Sequence, residues 1–427
     1  MRVAIVTHVV RHNDGQGRVN HEIARAALEE NIAVTLVASH VAPDLLAHPN
    51  VRWVPMKIGR WWPTNLLRQQ VFAFKSALWL RAHRSDYDVL HVNGFITWMP
   101  ADVNTAHFVH SGWFGSKYYP FGLTKGLWSA YQFVYTRANA TLERWAYRRS
   151  RVITAVSQKV ADEIRAIGLT PRNRVDVIYN GVDTQGFSAA HGDRAKFNLP
   201  ADAFLLLFVG DLRTPRKNLG TVLEALCRLP KDVHIAVAGY LPGSPYPEQA
   251  RTLGIADRVH FLGLVKEMPV LMHSVDAFVF PSRYEAMSLS LLEAMAAGLP
   301  VVTARTAGGA EIITPACGIV LDDPDDPQAL AGAVAKLAGA DDVRRAMGVA
   351  ANELATGFGW ARMAAQYIAL YRQLAGQQED RQRAGTTATT PSESLGANVL
   401  TGRTGIESTG REFKGVEYRS AEYKVAE

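Results

Sequence analysis

The stretch AFVFPSRYEAMSLSLLEAMAAGLPVVTA, residues 277–304, carries two carboxylates inside an otherwise apolar run. AFVFPS reads as a strand, because aromatic and β-branched residues fit a pleated sheet covered on both faces. SLSLLEAMAAG has the spacing of a buried helix, stopped by Gly298 and by Pro300 beyond it. PVVTA is then a second strand. Strand, helix and strand in so short a span form the unit of a parallel sheet, so the fold class is α/β. Glu285 lies in the turn above the first strand, and Glu293 falls on the helix, about two turns in.

The same alternation runs outward in both directions. VAIVTH, AVTLVAS, VRWVPM, DVLHVNG, TAHFVH, VITAVS and VDVIYNG are strand candidates in the first half, and LLLFVGD, HIAVAGY and VHFLGL in the second. VNHEIARAALEEN, KVADEIRAIG and GTVLEALCRL supply helix patterns between them. The pattern resets after NGVDTQGFSAAHGDRAKFNLPAD, a loop rich in Gly, Asp and Ala that joins two such units. The expected domains are therefore 1–190 and 191–360, followed by a helix at 361–376. Residues 377–427, rich in Thr, Ser, Gly and Glu without an apolar period, read as a disordered tail. At 427 residues the chain exceeds what one core serves, which agrees with two domains.

Composition narrows the class. Two cysteines, Cys227 and Cys317, argue against a disulfide framework and for a reducing compartment. The opening apolar run is too short for a signal peptide, and no segment reaches the ~18 apolar residues of a membrane span. The expectation is a cytoplasmic protein. Its net charge of +6 is unevenly placed: residues 1–183 carry 22 Lys and Arg against 13 Asp and Glu, and residues 184–376 carry 17 against 19. Of the nine tryptophans all but Trp360 lie in the first half, many among cations, as in GRWWPTNLLRQQVFAFKSALWLRAHR and TLERWAYRRSR. Such segments suit an anionic headgroup layer, which would make the protein peripheral on the inner face of the plasma membrane through its first domain. Core Trp with Arg turned to water is the plainer alternative. No recognition motif for nucleic acid accompanies the charge.

Ligands of open α/β sheets bind beyond the strand C-termini, where Glu285 lies. The helix start at Ser288 and Leu289 offers free N–H groups and a positive dipole end. An anion held there, with hydroxyl-rich groups at the two glutamates, has the shape of a nucleotide sugar. Taken alone, Glu285 as a first-turn helix charge and Glu293 as a solvated helix residue read more simply. Other segments shift the balance. FVGDLRTPRKNLGTVLEAL sets Arg213, Arg216 and Lys217 between strand and helix, where cations neutralise a leaving diphosphate. Gly15 and Gly17 let backbone approach a phosphate or an acceptor. In TAHFVHSGW, His107 and His110 follow a strand. The acidic patches DYD at Asp86 and DDPDD at Asp322 are not read as metal ligands, since one opens a strand and the other precedes a helix at Pro327.

In order and spacing, EAMSLSLLEAMAAGLPVV with its Glu-x7-Glu, VITAVSQKVADEIRAIG leading to VIYNGVDTQGF, FVGDLRTPRKN, RVHFLGLV and TAGGAEII resemble one known family. These are the retaining GT-B glycosyltransferases of glycosyltransferase family 4, and the resemblance covers nearly all of residues 1–375. It implies two Rossmann-like domains whose parallel sheets face each other across a cleft, with a C-terminal helix crossing back to the first. It implies transfer of a sugar from a UDP-, GDP- or ADP-sugar to a glycan or lipid-linked acceptor, with retention and without cofactor or metal, in bacterial polysaccharide or glycolipid biosynthesis. By the same resemblance Glu285 binds donor-sugar hydroxyls, Glu293 the ribose hydroxyls and Lys217 the diphosphate. His107, with His110 as substitute, lies near the donor sugar. The sequence departs from the family in carrying Asp211 where Arg is common, leaving Arg213 as replacement, and Ala286 and Ser288 where glycines are frequent. With no protein nucleophile evident, same-face attack assisted by the leaving phosphate is the favoured mechanism. A nucleotide-sugar 2-epimerase or a disaccharide phosphorylase shares the architecture, as does a binding subunit without turnover.

Overall fold

The computed structural model describes residues 1–12, 14–59, 61–168 and 174–387. In chain order the first half contains β1 (Arg2–Val6), β2 (Val9–Val10), β3 (Ala33–Ala38), β4 (His40–Val41), β5 (Val51–Pro55), β6 (Val89–Asn93), β7 (Val103–Ala106), β8 (Val152–Ala155) and β9 (Arg174–Val177). Seven of these form one parallel sheet in the order β5-β3-β1-β6-β7-β8-β9, and β2 pairs with β4 alongside. The second half contains β10 (Phe204–Val209), β11 (Val233–Ala238), β12 (Val259–Gly263), β13 (Ala277–Phe280), β14 (Val301–Ala304) and β15 (Gly318–Leu321). They form a second parallel sheet in the order β12-β11-β10-β13-β14-β15.

Parallel strands need crossover connections, and the helices in those crossovers cover both faces. Alternate side chains of β1 show it directly, since successive residues of a strand point to opposite faces. Val3 and Ile5 join one apolar cluster with Met363, Tyr367 and Tyr371, while Ala4 and Val6 join another with Phe72 and Leu80. In each sheet the chain works outward from a central strand and then reverses, once between β1 and β6 and once between β10 and β13. Such reversal points leave a crevice at the strand C-termini, because the flanking connections run to opposite faces.

The last helix, Trp360–Thr387, returns to the first half. Its Tyr371 hydroxyl bonds His91 Nδ1 at 2.6 Å, its Tyr367 hydroxyl lies 3.1 Å from Thr105 Oγ1, and Arg372 reaches Glu30 at 2.9 Å. Burial pushes the His91 imidazole down to about 3, so it sits neutral among these hydroxyls. The two passages between the halves pair with one another: Val182 N–H donates to Phe358 O at 2.8 Å and Trp360 N–H to Val182 O at 3.3 Å.

Several elements differ from the sequence reading. The strand placed at TAHFVH is Val103–Ala106, because pairing of Val103 with His91 and with Val152 sets it earlier and leaves His107 beyond its end. The helix after β13 starts at Leu289, as expected, with Ser288 Oγ accepting from Leu291 N–H (3.2 Å); at 3.6 residues per turn Glu293 is then just over one turn in, not two. β2 and β4, of two residues each, are too short to stand out in sequence, and β15 (GIVL) is a further strand absent from the expected set. The final helix continues past Gly376 to Thr387, since Gln, Glu and Arg are good helix formers without an apolar stripe. Residues 388–427 lie outside the described residues. No helix among the described residues is long and apolar enough to cross a membrane.

Candidate active site

The loops that follow the neighbouring strands β10 and β13 build the centre of the second half's crevice. After β10, Thr214 Oγ1 accepts from Arg216 N–H (3.3 Å) and starts the single turn Pro215–Lys217. After β13, Arg283 N–H and Ser282 Oγ donate to the Arg216 carbonyl at 2.9 and 3.1 Å, tying the loops together. This brings Lys217 Nζ into a short ion pair with Glu285 Oε2, and Arg216 Nη1 to 3.5 Å from the same oxygen. Burial works to raise the Glu285 carboxyl, but Lys217 and then Arg216 outweigh it and hold the group below its ordinary value. Glu285 is therefore a carboxylate between two cations.

The TAGGAEII loop fixes the backbone around it. Gly308 N–H donates to Glu285 O at 2.9 Å, and Ser288 N–H donates to Gly308 O at 3.3 Å. A Cβ on Gly308 would stand 1.6 Å from the Ala286 carbonyl oxygen, so only glycine fits. Of the two N–H groups read as phosphate donors, Ser288's is thus engaged, whereas Leu289's has no partner among the described residues.

Glu293 is half-buried, and its carboxyl makes no hydrogen bond or ion pair among the described residues. Burial pushes its carboxyl up to about 7, against an opposing pull from Arg18. Arg18 belongs to the first half's helix Gly15–Glu29, pairs with Glu22 at 2.8 Å and stacks 5.5 Å over the Trp360 ring. The sequence reading missed Arg18; its only signal is a place in the first turn after the Gly15 loop. Of the loop glycines, Gly15 has no atom within 4 Å of a Cβ position and leaves open space. Gly17 instead packs on Asp14, whose Oδ1 accepts its N–H at 2.6 Å and caps the helix.

Arg213 does not stand over the crevice as an independent cation. Asp211 holds it through Nε at 2.9 Å and Nη2 at 2.8 Å, and its guanidinium lies over the Tyr240 ring. The residue that departs from the family pattern therefore takes up the charge of the nearest replacement.

The histidines sit on the first half. His107 Nε2 donates to Asn93 Oδ1 at 2.9 Å, and Asn93, at the end of β6, pairs with Asn20 across the β1/β6 reversal point. Burial pushes His107 down to about 3, so it is neutral with Nδ1 left as an acceptor. His110 Nδ1 is 2.5 Å from Glu143 Oε1, which orients its ring. Between them Phe108 lies under the Arg216 guanidinium at 5.5 Å and meets the Tyr284 ring edge-to-face. Across the same seam the Tyr284 hydroxyl lies 2.7 Å from Glu163 Oε2, and Ser157 Oγ donates to Ala286 O at 2.7 Å. Glu285, Lys217, Arg216 and the histidine segment are thereby gathered at one seam, with Glu293 facing it through Arg18.

Comparison with known proteins agrees with this geometry. Residues 13–185 match the family described as Glycosyltransferase Family 4, and residues 203–340 match Glycosyl transferases group 1, so one match falls in each half, the first beginning after β1. The chain belongs to glycosyltransferase family 4. It is 34% identical over 237 residues to D-inositol 3-phosphate glycosyltransferase 2 of Catenulispora acidiphila, covering 52% of this chain and 55% of that protein. In structure this family 4 glycosyltransferase superposes on sucrose-phosphate synthase from Thermosynechococcus elongatus with a TM-score of 0.74 and 18% identity, over 88% and 99% of the two chains. It also superposes on HepE of Anabaena, solved with UDP-glucose, with a TM-score of 0.66 and 20% identity, over 89% and 100%. These likenesses establish the GT-B fold.

The acidic patches of this family 4 glycosyltransferase are used structurally. Asp86 pairs with Arg52 and Asp88 with Arg2. Asp322 pairs with Arg305, Asp325 with Arg283, and Asp326 caps the helix Pro327–Ala338.

Proposed function

We propose that this protein transfers a sugar, with retention, from a nucleotide-diphosphate sugar to a glycan or lipid-linked acceptor. The observation that carries this reading is Glu285 held between Lys217 and Arg216 at the β10/β13 reversal point, beside a helix start with an unpartnered N–H. Cleavage of the anomeric bond builds negative charge on the diphosphate and positive charge on the ring. Lys217, Arg216 and the Leu289 N–H oppose the first, and Glu285 binds the sugar. Neutral His107 acts as a hydrogen-bonding group rather than as a proton donor. That HepE was solved with UDP-glucose supports a nucleotide-sugar donor, whereas the relative named for inositol 3-phosphate favours a small phosphorylated polyol as the alternative to a glycan or lipid-linked acceptor.

A thermal-shift screen over UDP, GDP, ADP and their sugars tests the donor. The right nucleotide at about 100 times its Kd adds about 2.7 kcal/mol of stability. Release of nucleoside diphosphate with that donor is expected only after acceptor is added. Release without acceptor would instead indicate epimerisation, and tight binding with no turnover on any acceptor would indicate a binding subunit.

The first half also carries features of a lipid-docking face. Trp61 is 74% exposed, and Leu67, Phe74 and Leu78 stand exposed along one side of the helix Asn65–Ala82. Leu127 and Trp128 are exposed at the start of the helix Leu127–Arg148, and a groove of about 650 Å³ lined by Leu66, Phe133, Val134 and Leu142 runs between the two helices. Trp145 of the second basic segment packs instead with Phe95 and Trp98. Co-sedimentation with anionic liposomes is therefore expected at low salt and little with neutral ones. Neutralising Arg68, Lys75 and Arg81 should reduce it, each contributing about 1 kcal/mol; Arg60 of the same basic segment lies outside the described residues. Replacing Trp61 and Trp62 by Ala should weaken what survives at high salt. Protein left in the supernatant at low salt would argue for a soluble acceptor.

A further inference from the structure

We propose that His12, His21 and Asp44 form a site for a divalent transition metal of the zinc class. Their ligand atoms all lie within 4.8 Å of one another. His21 Nε2 is 2.7 Å and His12 Nε2 3.4 Å from the same oxygen, Asp44 Oδ2, and the two rings lie 3.9 Å apart. Two imidazoles and one carboxylate are a borderline-soft donor set that leaves room for water or an exogenous ligand.

The second observation is an orphaned atom. The His21 side chain is fully buried, and its Nδ1 has no hydrogen-bond partner although Glu22 Oε1 lies 3.7 Å away. With Nε2 donating to Asp44 Oδ2, the remaining ring nitrogen Nδ1 is left without a partner beside the Glu22 carboxylate. A metal on Nε2 moves that proton to Nδ1, which then donates towards Glu22. This is the carboxylate support that metal-bound histidines ordinarily have. At His12 the same tautomer change turns Nδ1, now 3.0 Å from Arg18 Nη1, into a donor. Arg18 must then leave His12 for its other partners, Glu22 and the Trp360 ring.

The site ties the loop before the helix Gly15–Glu29 to the short helix Pro43–Leu46. His12 and Asp44 are about half-exposed, which gives the ion access. Spacings of nine and 23 residues hide the cluster from motif reading. It shares no residue with the Glu285 centre.

The test uses the full chain without a histidine tag, stripped by chelator and titrated with Zn²⁺ alone in a calorimeter. One equivalent is expected to bind, with a rise in melting temperature that Mg²⁺ does not reproduce. His12→Ala and Asp44→Asn, both at exposed positions, should each weaken binding by about tenfold or more without changing the far-UV circular dichroism spectrum. His260→Ala, which removes the other close histidine pair with His234 at 3.0 Å, should leave affinity unchanged. An absence of binding in the wild type overturns the assignment, and so does affinity that survives both site variants or disappears with His260→Ala.

Discussion

Glu285→Gln and Lys217→Ala are each expected to lower turnover by about 10²–10³-fold, the usual loss when one group aimed at developing charge is removed. The glutamine keeps the shape of Glu285 but removes the charge that pairs with Lys217 and Arg216. The alanine leaves Glu285 with Arg216 as its nearest cation and Lys159 farther off. Both variants also disturb a largely buried ion pair, and breaking such a pair from one side costs about 3–5 kcal/mol where burial is complete. A lowered melting temperature should therefore accompany the lost turnover, so circular dichroism and nucleotide-induced thermal shift are needed to establish that a folded protein is being assayed. For Glu285→Gln the loss should fall on kcat more than on KM if the carboxylate binds the sugar more strongly in the transition state. Folded Glu285→Gln protein with wild-type kcat would remove this residue from the chemistry.

Glu293→Gln is expected to stabilise the ligand-free protein at pH 8 and to leave it nearly unchanged at pH 4. Burial raises the folded carboxyl from 4.5 to about 7. Below the unfolded value both states are protonated and the group costs nothing. Between that value and 7 the unfolded state ionises first, so the wild type loses stability as pH rises. Above 7 both states are ionised and the cost is complete, at about 3 kcal/mol from about 1.36 kcal/mol per pH unit. Glutamine has no such step, so the difference in melting temperature between variant and wild type should open through the neutral range. If Glu293 receives the ribose hydroxyls, the same variant should bind nucleotide more weakly, a trade of function against stability common at binding sites. Parallel pH profiles for the two proteins would show that Glu293 titrates as an ordinary exposed glutamate.

Much of the architecture is legible in residue order. Short apolar runs such as LLLFVG and AFVF, separated by helices with apolar stripes, leave little choice but parallel sheets covered on both faces. Glu285, Lys217 and Arg216 could be named because polar residues directly after such strands fall at the ligand edge whatever the sheet order. Helix stops at Gly298 and caps at Ser288 and Asp326 are local chemistry, readable from neighbours alone.

What the sequence by itself determined is thus the α/β alternation and the side of each strand on which function lies. Only the tertiary structure decided which ends meet and in what charge state. Strand order depends on pairing between residues far apart in sequence, which placed β7 ahead of His107 and set β10 beside β13. The neutral state of His107 and the raised carboxyl of Glu293 follow from packing density and from what surrounds each group. Desolvation and through-space charge act over ångströms, not along the chain, so no residue pattern encodes them locally.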